Sequence, residues 1–254
     1  MTRGVKQIAY GTFYLAIFVA IIAGFYFVFL KPAPSCFDNI QNQKEEGIDC
    51  GGPCSGACIP ASIKSIEIVD RILFFEPAPS SISFLARVSN PNLAYATKNF
   101  SYQLSLRNAS GTIVKSIPGN SFIYAGEVKY IFMPNVGVSR SLFDKADLEI
   151  NGVSWLPANE FVGPPQLAVS RVQTNVSNSR VIAEGQATNN DIVSFPRVTV
   201  LAIFKGKLGQ TAGVSQTELD NLSPNESRQF SVSYPAVTDF DISATQVYAY
   251  AARE

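Results

Sequence analysis

Hydrophobic positions are arranged along this chain in two different ways. From Ile8 to Leu30 they run on without a charged residue, whereas from about Ile63 they come in short runs separated by turn residues. The first pattern predicts a membrane-spanning helix. Twenty-three residues rising 1.5 Å each cover roughly 34 Å, enough for a ~30 Å hydrocarbon core. Ile, Leu, Phe and Val dominate the run, and their summed insertion preference, roughly −5 kcal/mol, outweighs the cost of Gly11, Thr12 and Gly24. Tyr10, Tyr14 and Tyr26 sit toward its ends, where an aromatic ring with a polar tip is favoured. A cleaved signal peptide competes with this reading. Its apolar stretch is ordinarily shorter, and here Lys31-Pro32-Ala33-Pro34 follows in place of a small-x-small cleavage site. Cys36 does not make a lipoprotein signal, because Ala33 stands where Leu is usual. Arg3 and Lys6 precede the run with no acidic residue among them, so residues from Lys31 onward are expected outside the membrane.

The second pattern predicts strands. Ile66 to Asp70, Ser83 to Val88, Phe100 to Leu106, Thr112 to Val114 and Val128 to Phe132 mostly alternate apolar with polar residues. The second half repeats the plan with Leu167 to Val172, Val181 to Ala187, Val198 to Phe204 and Phe230 to Tyr234. The turns agree as well. Asn90 and Asn189 each follow the second strand, and Ala125-Gly126-Glu127 and Pro224-Asn225-Glu226 each precede the late one. Asn90 to Glu127 and Asn189 to Glu226 are both 37 residues apart, which points to a tandem duplication with a period near 99. About 95 residues carrying seven or so short strands fits an immunoglobulin-like β-sandwich.

Charge and composition narrow the function. Lys+Arg and Asp+Glu are both 20, so no basic excess marks a nucleic-acid binder. Histidine is absent, which removes the commonest general base and metal ligand. No Gly-rich phosphate loop occurs. Ser62 with Lys64 and Ser110 with Lys115 read as turn and strand-edge residues, and Trp155, between Val153 and Leu156, reads as core. Asp144, Asp147, Asp239 and Asp241 are placed near turns. Asn-x-Ser sequons at Asn99, Asn108, Asn175, Asn221 and Asn225 are glycosylation sites only if the protein is a eukaryotic secretory one.

All four cysteines, Cys36, Cys50, Cys54 and Cys58, fall in one short window. An even count outside the cytoplasm favours two disulfides, with three connectivities that sequence does not separate. A four-cysteine zinc site is the rival, although its Cys-x2–4-Cys pairs are only half matched. Asp38, Asn42, Glu45 and Asp49 are a candidate calcium set, as hard cations gather six to eight oxygens. With Cys36, Cys50, Gly51, Gly52, Cys54 and Cys58, these residues resemble a Cys-rich module of bacterial surface proteins, Cys-x-Asp-Gly-x-x-Asn-x-x-Glu-x-x-x-Asp-Cys-Gly-Gly-x-Cys-x-x-Cys. Asn39 replaces the Gly, and the last interval is one residue longer. The resemblance covers about a tenth of the chain and implies an extracytoplasmic spacer.

Ala187 to Asn190, Val198 to Phe204 and Leu222 to Phe230 are similar to the FxLYD domain and its water-stress relatives, small extracytoplasmic β-sandwiches of bacteria. That likeness implies a fold and a display role, and brings no catalytic residue. The expected layout is mainly β: a cytoplasmic tail over 1–7, a single transmembrane helix over 8–30 and a disulfide-rich stalk over 31–61. Tandem immunoglobulin-like sandwiches then occupy 62–158 and 166–254. A linker over 159–165, stiffened by Pro164-Pro165, is expected to act as a semi-rigid joint. The expected function is non-enzymatic display on the outer face of a bacterial cytoplasmic membrane, binding a protein or a cell-surface polymer. The alternative is a structural part of an envelope assembly, held by the helix, with its small residues Gly11, Ala16, Ala20 and Gly24, and by sandwich edges.

Overall fold

The structure is a computed structural model that describes residues 3–27, 35–54, 56, 58–161, 163–235 and 240–253. The last residues of the expected membrane span, 28–30, and Asp239 lie outside these. The chain divides into two compact units, Met1–Cys58 and Ile59–Glu254.

In the first unit, α1 spans Arg3–Phe25. Its stretch Lys6–Phe25 has a mean hydropathy of 2.1 and no residue buried against protein, so by length and composition it suffices to cross a membrane. Thr12, a polar residue within that stretch, donates from Oγ1 to Ile8 O at 3.0 Å. This back-bond satisfies its hydroxyl within the helix itself, as a membrane interior would require.

The second unit is mainly β. Its first half holds β1 (Glu67–Ile68), β2 (Leu73–Ala78), β3 (Ser81–Ser89), β4 (Tyr95–Arg107), β5 (Ile113–Ile123), β6 (Val128–Val136), β7 (Lys145–Asn151) and β8 (Leu156–Pro157). The second half holds β9 (Leu167–Ser177), β10 (Arg180–Asn189), β11 (Phe195–Gly206), β12 (Thr211–Leu222), β13 (Ser227–Pro235) and β14 (Phe240–Tyr250). In the first sandwich β3 pairs with β6 on one side and with β1 and β2 on the other, facing a sheet in which β4 lies between β5 and β7 and also pairs with β8. In the second, β13–β10–β9 faces β12–β11–β14. All the pairings are antiparallel, which short hairpin connections allow.

Alternation explains where the two cores sit. In β3, Ile82, Phe84, Ala86 and Val88 turn into the first core, and in β11, Val198, Val200, Ala202 and Phe204 turn into the second. The opposite faces of both strands are buried too. Leu201 of β11 is 1% exposed. It pairs across the sheet with Tyr248, whose ring lies 5.3 Å from that of Tyr130 on β6. Leu85 of β3 pairs with Leu73 and Phe132, and all three join the second sandwich's apolar cluster together with Phe75. The two sandwiches therefore pack sheet against sheet, and four β layers share three apolar seams.

Described residues of the expected linker make packed contacts. Phe161 is 1% exposed and its ring stacks on Tyr124 at 4.5 Å. The Tyr124 hydroxyl donates to Ala251 O and accepts from Arg253 N, while Arg253 Nε donates to Gly163 O and its guanidinium pairs with Asp191. These bonds tie the linker and the C-terminal end to both sandwiches at once.

The same turn is built twice. Asn90 Nδ2 donates to Tyr95 O and Tyr124 O, and its Oδ1 accepts from Asn92 N. Asn189 Nδ2 likewise donates to Val193 O and Leu222 O, and its Oδ1 accepts from Asp191 N. Glu127 and Glu226 each accept, at 2.8 Å, from the amide three residues earlier, Tyr124 and Ser223. Gly126 and Asn225 hold the left-handed backbone, φ 67° and 60°, between them. Gly and Asn are the residues that adopt it at least cost.

Candidate functional site

The cysteine window folds as a loop clamped by Cys36–Cys54 and Cys50–Cys58, a connectivity that sequence left open. All four sulfurs are oxidised, so they offer no thiolate to zinc. Within it, the candidate calcium residues face the chain's own amides. Asp38 accepts from Ser35 N, Ile40 N and Asn42 Nδ2, which holds its carboxyl below the usual range, the Asn42 bond contributing most. Asp49 accepts from Asp38 N and Asn39 N, and Glu45 from Asn42 N and Asp49 N. Asn39, Gln43, Lys44 and Asp49 adopt positive φ, and the Asn39 and Asp49 amides are among the donors to these acceptors. Among the described residues, Asp38, Glu45 and Asp49 do not bring three carboxylate oxygens within 4.8 Å of one another. These carboxylates are engaged by amides of the loop itself, while Asn42 Oδ1 is buried without a partner among the described residues. Glu45 Oε1 does lie 2.9 Å from Cys54 Sγ, close to Cys36, but a disulfide sulfur has no hydrogen to give and is no ligand.

A different cluster stands out in the second unit. Lys129 lies in phase with Ile131 and Met133 on the core-facing side of β6 and is 4% exposed. Its Nζ donates to Phe122 O at 3.0 Å and sits 3.4 Å from the centroid of the Phe122 ring and 5.1 Å from that of Tyr250. Among the described residues it has no salt-bridge partner. Burial pushes the amine down to about 8, opposed by the charge of nearby Glu127. An ammonium has three donors, and the protein hydrogen-bonds one of them. The ring faces add cation–π attraction.

Lys129 lines a cavity of about 280 Å³ where the two sandwiches meet. Tyr102, Asn120, Phe122, Arg197 and Tyr250 also line it. Tyr102 crosses Gly119, its partner on β5, so closely that a Cβ there would fall 2.2 Å from the ring. Gly119 is thus what lets the Tyr102 ring lie flat against the strand. Asn120 Oδ1 accepts from Ser101 Oγ. Arg197 is held through Nε by Glu218 at 3.2 Å. Burial raises the Tyr102 and Tyr250 phenols above their ordinary values. A larger groove of about 530 Å³ opens elsewhere between the sandwiches, lined by residues such as Phe132, Asn135, Arg180 and Gln216.

The other residues singled out in the sequence are structural. Trp155 packs against the first core. Lys115 donates to Gly137 O, and Ser110 bonds within its turn to Asn108. Asp147, expected near a turn, stands inside β7 and pairs with Arg107 and Lys145; Asp241 falls in β14. Sequence reading missed Lys129, although a charge in phase with Ile131 and Met133 on an alternating strand was a visible signal.

The fold and these sites define a mainly β protein with two closely packed sandwiches and an N-terminal helix apolar enough for a membrane. No protein-family model matches the chain, and no curated relative matches it at a significant level. Among solved structures it is similar to red sea bream transglutaminase at 15% identity, over 73% of this chain and 32% of that one, with a TM-score of 0.20. The chain thus spans about a third of that enzyme, and a likeness at this score carries no argument about activity.

Proposed function

We propose that this protein is a non-enzymatic display module of the cytoplasmic membrane, anchored by α1 with its N-terminus inside and its β body outside, and that the body binds a protein or cell-surface polymer. The observation that carries this reading is the pair of disulfides close behind an apolar helix, since disulfides persist on the oxidising side of a membrane. Arg3 and Lys6 ahead of the helix support the orientation. The lack of histidine and of a basic excess supports a binder that is neither a hydrolase of the usual kind nor a nucleic-acid protein. The doubled asparagine–glutamate turn supports descent of both sandwiches from one duplicated unit.

The test is thiol alkylation of intact cells, before and after reduction, followed by peptide mass mapping. Cys36, Cys50, Cys54 and Cys58 are expected to react only after reduction by a membrane-impermeant agent, on a chain that keeps Arg3 to Phe25. Four thiols that react without reduction would put the body inside and end the display reading. A mature chain lacking the helix would make the protein secreted.

A further inference from the structure

The geometry points to the cavity beside Lys129 as the binding site for a single carboxylate-bearing sugar ring, such as a terminal hexuronic acid of a surface polymer. This deepens the display reading and rests on it.

Three observations carry the assignment. The first is the unspent cation. Lys129 is buried with one hydrogen bond to a carbonyl and, among the described residues, no carboxylate in salt-bridge contact, Glu127 acting on it only from longer range, whereas buried charges are ordinarily paired directly. A ligand carboxylate supplies the missing partner through a short charge-assisted bond. The second is the set of rings. Tyr102, Tyr130 and Tyr250 line the same space, and the C–H faces of a pyranose pack on aromatic rings while its hydroxyls reach outward. Asn120, Ser121 and Thr199, which also line it, are the polar groups such hydroxyls need. The Tyr102 hydroxyl has no hydrogen-bond partner among the described residues. The third is size. A volume of about 280 Å³ lies just below the ~300–1,000 Å³ typical of small-molecule sites, which suits one ring and not a folded chain. Phosphate fits less well, because phosphate sites use converging backbone amides or free arginine forks, and here the Arg197 guanidinium is held through Nε by Glu218 while Lys129 stands recessed among rings.

The second sandwich shows what the site requires. Arg228 takes the place of Lys129 there, two residues after the turn glutamate, but it is paired with Glu226 and bonded to Asp220 O and Asn221 O. Among the described residues no aromatic ring lies over its guanidinium. The basic position is repeated, and beside Lys129 the end of β14 helps to line the cavity.

The full chain in detergent micelles, titrated with D-glucuronate, glucose and inorganic phosphate and followed by saturation-transfer NMR, tests this. Glucuronate is expected to bind, with glucose at least about tenfold weaker and phosphate without competition, because one charge-assisted bond separates the sugars. Lys129→Met should weaken glucuronate binding about tenfold or more with its melting temperature no lower than that of the unmodified chain, and Lys145→Met should leave binding unchanged. If Lys129→Met fails to fold, Asn120→Ala and Arg197→Gln at the same cavity are expected to weaken binding in its place. Equal binding of glucose and glucuronate, competition by phosphate, or no binding of any probe would overturn the assignment. Any of these results with protected cysteines leaves display standing and removes the ligand. Free cysteines remove the display reading whatever the sugar does.

Discussion

Lys129 and Arg228 occupy the same place in the two sandwiches, and their surroundings separate them. Arg228 meets its glutamate at the surface, and Lys129 is covered by Phe122 and Tyr250. Burial holds the Lys129 amine near 8, against 10.5 in an unfolded chain. Between those values the unfolded state binds more protons, so stability rises as pH climbs from about 8 toward 10.5. Glu127 on the same strand end opposes the shift, and the facing phenols act above pH ~10. There Tyr124, raised to about 12 chiefly by burial, and Tyr250, raised further, stay protonated in the fold while unfolded tyrosines ionise, so stability falls again. The melting temperature is therefore expected to peak near pH ~10. Lys129→Met should flatten the rising limb and add on the order of 1–3 kcal/mol at neutral pH, as replacing a poorly compensated buried charge does. A variant whose melting curve keeps the rising limb would assign the titration to another group. The lysine itself was legible in the sequence as a charge on an apolar face; its covering by Tyr250, 121 positions away, was not.

At the scale of elements, the asparagine turns hold strands to loops. Asn90 and Asn189 are buried, and each satisfies two carbonyls and an amide. Asn90→Ala or Asn189→Ala leaves those groups without partners, and each substitution is expected to cost about 2–4 kcal/mol in chemical denaturation. Losses below ~1 kcal/mol would show that water replaces the side chain. The strands that were legible, such as β3, β10 and β11, carry strict alternation or continuous apolar runs. Those that were not, β2, β7, β12 and β14, are edge strands. Pro77 and Glu76 interrupt β2, Asp147 sits inside β7, and β12 mixes polar and apolar positions along Thr211–Leu222. An edge strand is held by one neighbour, and its own pattern is free to be weak, although the edge strands β6, β9 and β13 keep a legible one.

At the scale of the whole second unit, the packed sheet faces argue against sandwiches that move as beads on a linker. Leu201, Leu85, Phe75 and Phe132 would be exposed if the two separated. A single calorimetric transition is expected for residues 59–254. Leu201→Asp, which puts a charge into the seam, should lower the melting temperature and split the transition in two. Leu201→Ala should keep one transition and cost about 2–5 kcal/mol. Two transitions in the unmodified protein would mean that the seam contributes little.

The sequence by itself determined the apolar helix, most of the central strands, the repeated turns and the gathering of the cysteines. These follow from local periodicity and from residues, such as Asn and Gly, with particular backbone preferences. The tertiary structure alone decided which cysteines pair, which amides the acidic loop residues serve, and where the outer apolar rows of β3 and β11 go. It also decided that Lys129 is enclosed and Arg228 is not. Alternation says that a strand has two faces, but which surface covers each depends on free energies summed over positions far apart in the chain.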